Sequence, residues 1–126
     1  MAESKNYVEQ EQENGKILIS EDVIASVTAL AVREVKGVYG LSLSASLDIS
    51  KILNKTNFHK GIRVNIAEEG VSIACNLVVR SGEPVMTVAK AVQENIANAV
   101  FSMAGIRPIR VDVNVCGVAI PKTPKK

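Results

Sequence analysis

The chain of 126 residues holds no tryptophan, two tyrosines, two phenylalanines, one histidine and two cysteines, and each shortage closes a route to function. A single histidine, His59, excludes a histidine metal cluster and is the one candidate for a Cys–His or Ser–His pair. It lies between Phe58 and Lys60, just before a predicted strand, and reads as an ordinary surface residue. Two cysteines are too few for a disulfide scaffold or a zinc site. Strand parity sends Cys75 into the core and Cys116 to the opposite face, so both are expected as separate thiols. The four aromatics Tyr7, Tyr39, Phe58 and Phe101 are too dispersed to form a base-stacking platform. No apolar run approaches the roughly 20 residues of a membrane-spanning helix. Residues 1–14 are polar and acidic, unlike a secretory leader, and the expected location is the cytoplasm. Acidic residues are scattered apart from Glu68-Glu69, which leaves no carboxylate dyad for general acid/base work. Neither phosphate-loop pattern occurs. The sequence therefore points to a protein with no catalytic, metal or cofactor site, and not to an enzyme.

What the chain does have is apolar content, 47% of its residues, in a length that suits one core and one domain. Charge is uneven along it. Residues 1–14 set Lys5 against Glu3, Glu9, Glu11 and Glu13, and residues 121–126 carry Lys122, Lys125 and Lys126, punctuated by Pro121 and Pro124. The middle is nearly neutral, without the footprint of a dedicated nucleic-acid binder. The expected organisation is an acidic tail over 1–14, a single domain over 15–120 and a basic tail over 121–126. The basic segment reads as a solubilising end; contact with an anionic head group or an acidic partner is the alternative, though three lysines are fewer than the clusters that hold a membrane alone.

Residues 16–20 (KILIS) form a short β-rich run, and Ser20 is placed to cap a helix with Glu21 and Asp22 in its first turn. That helix is predicted to continue to Lys36 and stop at Gly37, with Val23, Ile24, Val27, Leu30, Ala31 and Val35 facing the core. Glu34 falls inside this apolar arc at the end where the helix dipole disfavours an anion. Either the last turn frays and Glu34 reaches water, or Glu34 forms an ion pair with Lys60 or Arg63. A second short strand follows over 38–43, then a serine-rich excursion with a short helical turn near 47–53. Residues 62–66 and 71–79 alternate as two strands. Keeping both apolar rows on one face requires pairs such as 66 with 71, 64 with 73 and 62 with 75, joined through Ala67-Glu68-Glu69-Gly70. Pro84 suits the start of a long second helix that Gly105 ends. Its stripe is Val85, Val88, Ala89, Val92, Ile96, Ala99, Val100 and Met103. Phe101 falls opposite, as a partner anchor or as a ring folded onto a neighbouring loop. Residues 109–118 alternate as a last strand.

The predicted order is β-α-β-(short helix)-β-β-α-β, an α+β two-layer sandwich with two main helices on one face of a small mixed sheet. The other face should collect Arg63, Asn65, Asn76, Arg80, Arg110, Asp112 and Asn114. Such a face is either simply wet or a recognition surface. Gly37-Val38-Tyr39-Gly40 matches the GXXG loop with which KH domains clamp RNA. A KH loop joins two helices, however, whereas this one is predicted to join a helix to a strand, and its middle residues are apolar. A small RNA-binding module of KH type is the alternative reading. Its plainer counterpart is a helix stop followed by a turn.

Several stretches together resemble the alkaline-shock, or general-stress, envelope proteins of Gram-positive bacteria. They are Gly15-Lys16-Ile17-Leu18-Ile19-Ser20-Glu21-Asp22-Val23-Ile24-Ala25, Glu34-Val35-Lys36-Gly37-Val38-Tyr39-Gly40, Lys60-Gly61-Ile62-Arg63-Val64, Val92-Gln93, Met103-Ala104-Gly105 and Val111-Asp112-Val113-Asn114-Val115-Cys116-Gly117-Val118. The resemblance covers roughly residues 15–118. It departs at Ser81-Gly82, where the family has Tyr-Gly, and at Met103-Ala104-Gly105, where it has Met-Thr-Gly. It implies a non-enzymatic cytosolic adaptor or regulator in the envelope stress response that works through protein contacts and self-association. The implied partners are further copies of itself and a membrane-anchor protein that recruits it to the inner face of the cell membrane, so that membrane contact is indirect. Residues 41–61 resemble a subgroup tied to acetyl-CoA carboxylase subunits and control of fatty-acid synthesis. The family supplies no catalytic residues to carry over. The candidate contact residues are therefore Arg63, Arg80, Arg110 and Phe101 from the residue reading, with Glu34 as a candidate structural ion pair.

Overall fold

A computed structural model describes residues 7–42 and 61–120. The predicted short helix near 47–53, His59, Lys60 and residues 1–6 and 121–126 lie outside the described residues. The elements in chain order are β1 (Tyr7–Gln12), β2 (Gly15–Ser20), α1 (Glu21–Arg33), β3 (Val38–Leu41), β4 (Ile62–Ala67), β5 (Gly70–Arg80), α2 (Val85–Ala104) and β6 (Arg110–Ala119). Two helices pack on mixed sheets in an α+β fold, close to the predicted order.

Strand β5 organises the main sheet. β4 pairs antiparallel with its first half, through Ile66↔Val71, Val64↔Ile73 and Ile62↔Cys75, which is the register that the alternation of apolar residues demands. The connection is tighter than the four-residue loop expected, because Ala67 pairs directly with Gly70 and only Glu68-Glu69 turn. β3 pairs antiparallel with the second half, from Val38↔Val79 to Leu41↔Leu77. β6 runs parallel to β5 from Ser72↔Arg110 to Arg80↔Ala119. Since β6 occupies one edge of β5 over most of its length, β3 and β4 share the other edge end to end. A parallel neighbour requires a crossover, and α2 supplies it. The Gln93 side-chain amide donates to the Val111 carbonyl at 2.9 Å and ties helix to strand.

The inward row of β5, Val71, Ile73, Cys75, Leu77 and Val79, is buried against Val88, Val92, Ile96 and Val100 of α2 and Ile24, Val27 and Val32 of α1. Helix α2 presents the stripe that its sequence predicts, except that Val85 and Met103 at its two ends are exposed. It begins at Pro84 and ends at Gly105 in a left-handed conformation, as expected.

Helix α1 is rolled relative to its apolar pattern. Ala25, Thr28, Ala29 and Val32 are buried, while Val23 and Leu30 are 46% and 53% exposed. Alanines, which add little to an apolar pattern, fill buried positions on both flanks of Thr28, and the Thr28 hydroxyl, which a buried position must satisfy, donates to the Ile24 carbonyl at 2.8 Å. At 100° per residue the buried arc centres near Thr28, roughly 120° from Glu34. Glu34 is accordingly exposed just past the helix end, which closes at Arg33 and not at Lys36. Of the two readings of Glu34, exposure to water fits the structure; Arg63 is on the far face of the sheet, and Lys60 lies outside the described residues. The carboxylate of Glu34 instead meets the Asn95 side-chain amide at 3.4 Å.

A further correction concerns the N-terminal residues, of which 7–12 are strand and not a solvated tail. β1 pairs antiparallel with β2 from Tyr7↔Ser20 to Gln12↔Gly15. Gln12 pairs with Gly15, so Glu13-Asn14 make the turn, and Val8 and Ile19 anchor the hairpin by packing against the core. The Lys16 ammonium meets the Glu9 carboxylate at 3.3 Å across the pair.

Candidate interaction surface

Sheet parity places Arg63 and Asn65 of β4, Ser72, Ala74, Asn76 and Val78 of β5, and Arg110, Asp112 and Asn114 of β6 on the face turned away from the helices. The central strand contributes small side chains and the flanking strands long or polar ones. The result is a shallow polar floor with taller walls. Arg63 lies opposite Ala74 and Arg110 opposite Ser72, so the two cations flank β5 from opposite sides. The Arg110 guanidinium is held by both Asp112 carboxylate oxygens, at 3.1 and 3.0 Å, which fixes its direction and offsets its charge. In the middle of the floor the Asn114 amide donates to the Asn76 side-chain oxygen at 3.0 Å.

The four candidate contact residues do not form one patch. Arg80 sits at the far end of β5, six residues beyond Ala74 and about 20 Å away at strand rise. It stacks on the exposed Tyr39 ring at 5.8 Å. Phe101 belongs to the helix layer, where Arg107 of the following loop covers its ring at 4.1 Å. Of the two readings of Phe101, the ring folded against a neighbouring loop is the one observed. Tyr39, 62% exposed beside Arg80, is the surface aromatic that the sequence does not single out. It was visible only as one of four scattered aromatics, and its pairing with Arg80 depends on the irregular register of β3 against β5 between Val38 and Gly40.

The GXXG motif, Gly37-Val38-Tyr39-Gly40, runs from the end of the α1 turn into strand β3. Val38 is buried and paired with Val79, so the segment is strand β3 and not a clamp between two helices. Gly37 has φ +99°, and a Cβ there would stand 2.7 Å from Val88 Cγ2. Its glycine is therefore required by close packing of the helix stop against α2.

The two cysteines are separate thiols. Burial pushes the Cys75 thiol up to about 12, with the neighbouring Cys116 adding to the effect, so it stays protonated and inert. Cys116 is exposed, and it is the extra residue of a bulge: Leu77 pairs with Val115 and Val78 with Gly117. No helix among the described residues is long and apolar enough to cross a membrane.

Residues 9–120 match the model of the alkaline shock protein 23 family, described as having a cell-envelope-related function. The chain belongs to this family. Family relatives include the protein YqhY of Bacillus subtilis, 29% identical over 104 residues that cover 82% of this chain and 77% of the relative. A second is the protein Spy1535 of Streptococcus pyogenes serotype M6, 32% identical over 113 residues, covering 88% and 84%. The family is not a known enzyme family. Among solved structures, a variant of the MamM C-terminal domain shares 15% identity with a TM-score of 0.47, covering 81% of this chain and 96% of that domain. Likeness at that level supports no functional conclusion.

Proposed function

We propose that this protein is a non-enzymatic cytosolic adaptor or regulator of the envelope stress response, acting through protein contacts and self-association. The observation that carries the reading is the sheet with one face packed on helices and the other, among the described residues, polar and shaped, with Tyr39–Arg80 at one end and Arg63 and Arg110 at the other. Such a surface offers rigid, directional side chains on a scaffold whose core does not depend on them. A membrane-anchor protein is the proposed partner that brings it to the inner face of the cell membrane. A second branch of the reading assigns it to acetyl-CoA carboxylase subunits and control of fatty-acid synthesis, supported by the likeness of residues 41–61 to that subgroup.

The test is affinity purification from native cells at physiological salt after nuclease treatment, with membrane and soluble fractions identified separately by mass spectrometry. Recovery of a membrane anchor or of carboxylase subunits supports the adaptor reading and selects its branch. The R63E/R80E/R110E variant should lose that partner while its Tm stays close to wild type, since all three side chains are exposed. Partner binding that survives the triple reversal moves the interface off the sheet face. A bare protein, with RNA recovered only when nuclease is omitted, overturns the reading in favour of nucleic-acid binding.

A further inference from the structure

The two ends of the molecule differ in charge and in shape. At one end the β1–β2 hairpin stands beside the β4–β5 turn and encloses a cleft of about 600 Å³, lined by Tyr7, Glu9, Leu18, Ile66, Glu68 and Val71 among others. Its walls are apolar and its rim is acidic. Glu69 adjoins Glu68 in the turn, and Glu11 and Glu13 continue along the hairpin, against the single ammonium of Lys16. Arg107 in the loop before β6 and Arg110 at its start, both at this same end, are already engaged with Phe101 and Asp112. Half-exposed Leu18 and Tyr7 lie on the hairpin face that carries Glu9, and a two-stranded ribbon with so little cover is a poor structure by itself.

The opposite end sets Arg33, Lys36 and Arg80 beside Glu34 and Glu83, a slight excess of positive charge. Arg33 closes α1, Lys36 follows it, and the Arg80 amide donates to the Gly37 carbonyl at 2.8 Å, which brings these cations together. β6 also finishes here, with the Ser81 amide donating to the Ala119 carbonyl at 2.9 Å and Ile120 76% exposed. From this point the chain continues as Pro121-Lys122-Thr123-Pro124-Lys125-Lys126.

We infer that residues 120–126 of one copy dock in the hairpin cleft of the next, so that the protein associates head to tail through a basic segment in an acidic, apolar groove. This rests on the reading that the protein self-associates, and it names the surfaces. Charge is complementary, with three lysines meeting the Glu9, Glu68 and Glu69 rim. Chemistry is complementary as well. Ile120 and the lysine stems offer apolar surface to half-exposed Tyr7 and Leu18 while the ammonium groups stay at the rim. Pro121 and Pro124 restrict the backbone of residues 120–126 and lower the ordering cost of docking. Reach excludes the chain's own cleft. The 11 residues of β5 separate the two ends by about 35 Å, whereas Lys125, five residues past Ile120, extends no more than about 17 Å from it. A contact between unlike surfaces does not close on itself, so it propagates as an open chain of subunits.

Two charge-reversed variants test this by sedimentation velocity in low salt. K122E/K125E/K126E and E9K/E68K/E69K should each retain the wild-type circular dichroism spectrum and Tm, and each should weaken self-association at least about tenfold. Mixed together, each supplies the charge the other lacks, and association should return. High salt should dissociate the wild-type assembly. A wild-type protein that stays monomeric at high micromolar concentration overturns the self-association reading itself. Reversed variants that associate like wild type, or a mixture that stays monomeric, leave that reading standing and overturn the docking. If the lysine reversal leaves association intact and abolishes binding to vesicles of phosphatidylglycerol, the basic segment is a lipid contact and the inference fails.

Discussion

Gly70 closes the β4–β5 hairpin at the rim of the cleft, and its replacement by alanine separates two physical costs that the structure assigns to one atom. Its φ is +143°, a region that L side chains rarely adopt. Holding a non-glycine residue there costs about 1–3 kcal/mol. The added Cβ would also lie 2.7 Å from Ile109 Cγ2, well inside contact distance. Ile109 is β-branched and stiff at χ1, so relieving the overlap moves it off its rotamer for about 0.5–1.5 kcal/mol more. Gly70→Ala should therefore destabilise by about 2–4 kcal/mol in urea unfolding, a large share of the stability of a domain this size. Ile109→Ala alone should cost less than about 1 kcal/mol, because the side chain is more than half exposed. Combining the two removes the overlap but not the backbone strain, so the double variant should be more stable than the sum of the single effects by about 0.5–1.5 kcal/mol. A Gly70→Ala variant within about 0.5 kcal/mol of wild type would show that the turn does not hold this φ. Strict additivity would show that the two side chains do not meet.

Parity was the most legible property of this chain. Alternation at 62–66 and 71–79 sufficed for the hairpin register, because a slip of one residue would expose a whole apolar row. The same parity put Arg63, Arg80 and Arg110 on one face but carried no information about distance along it, and Arg80 proved to be at the far end with Tyr39. The roll of α1 was hidden because alanine contributes little to a hydrophobic pattern. Ala25 and Ala29 are nonetheless buried, which widens the inward face beyond the larger apolar residues. Strand β1 was hidden by its polarity: only Tyr7 and Val8 of Tyr7–Gln12 are apolar, and the turn at Glu13-Asn14 carries no glycine or proline to mark it. Missing that strand also meant missing the cleft, since the hairpin forms one of its walls. The bulge at Cys116 shifts the end of β6 by one residue, which period-two reasoning does not detect.

Cys75 should make the fold sensitive to alkali. Its folded value is raised from 9.0 to about 12, so the unfolded chain releases the proton first and stability falls as pH rises above the unfolded value. Between about pH 8 and about pH 10, wild type should lose about 1.4 kcal/mol more than Cys75→Ala by urea unfolding, and equal losses would refute the assignment. Ser20→Ala removes the hydroxyl that accepts from the Val23 amide at 3.3 Å, and the loss of this cap should cost about 1 kcal/mol. Asn95 joins the two helices, because its side-chain amide donates to the Ala31 carbonyl at 2.7 Å and faces the Glu34 carboxylate at 3.4 Å. Asn95→Ala leaves the Ala31 carbonyl without that donor and should cost about 1 kcal/mol. Asn95→Asp is nearly isosteric but should cost more, because it sets an anion against a carbonyl and a second carboxylate at the negative end of α1. Those neighbours raise the folded pKa of the new carboxyl, so the destabilisation should shrink as pH falls and the group becomes a neutral donor again. The comparison to make is the stability of the two variants from neutral pH down to about pH 4, close to the ordinary carboxylate values. Recovery confined to Asn95→Asp identifies the amide hydrogens as the link between the helices; parallel curves for the two variants would mean that only the shape of the side chain matters.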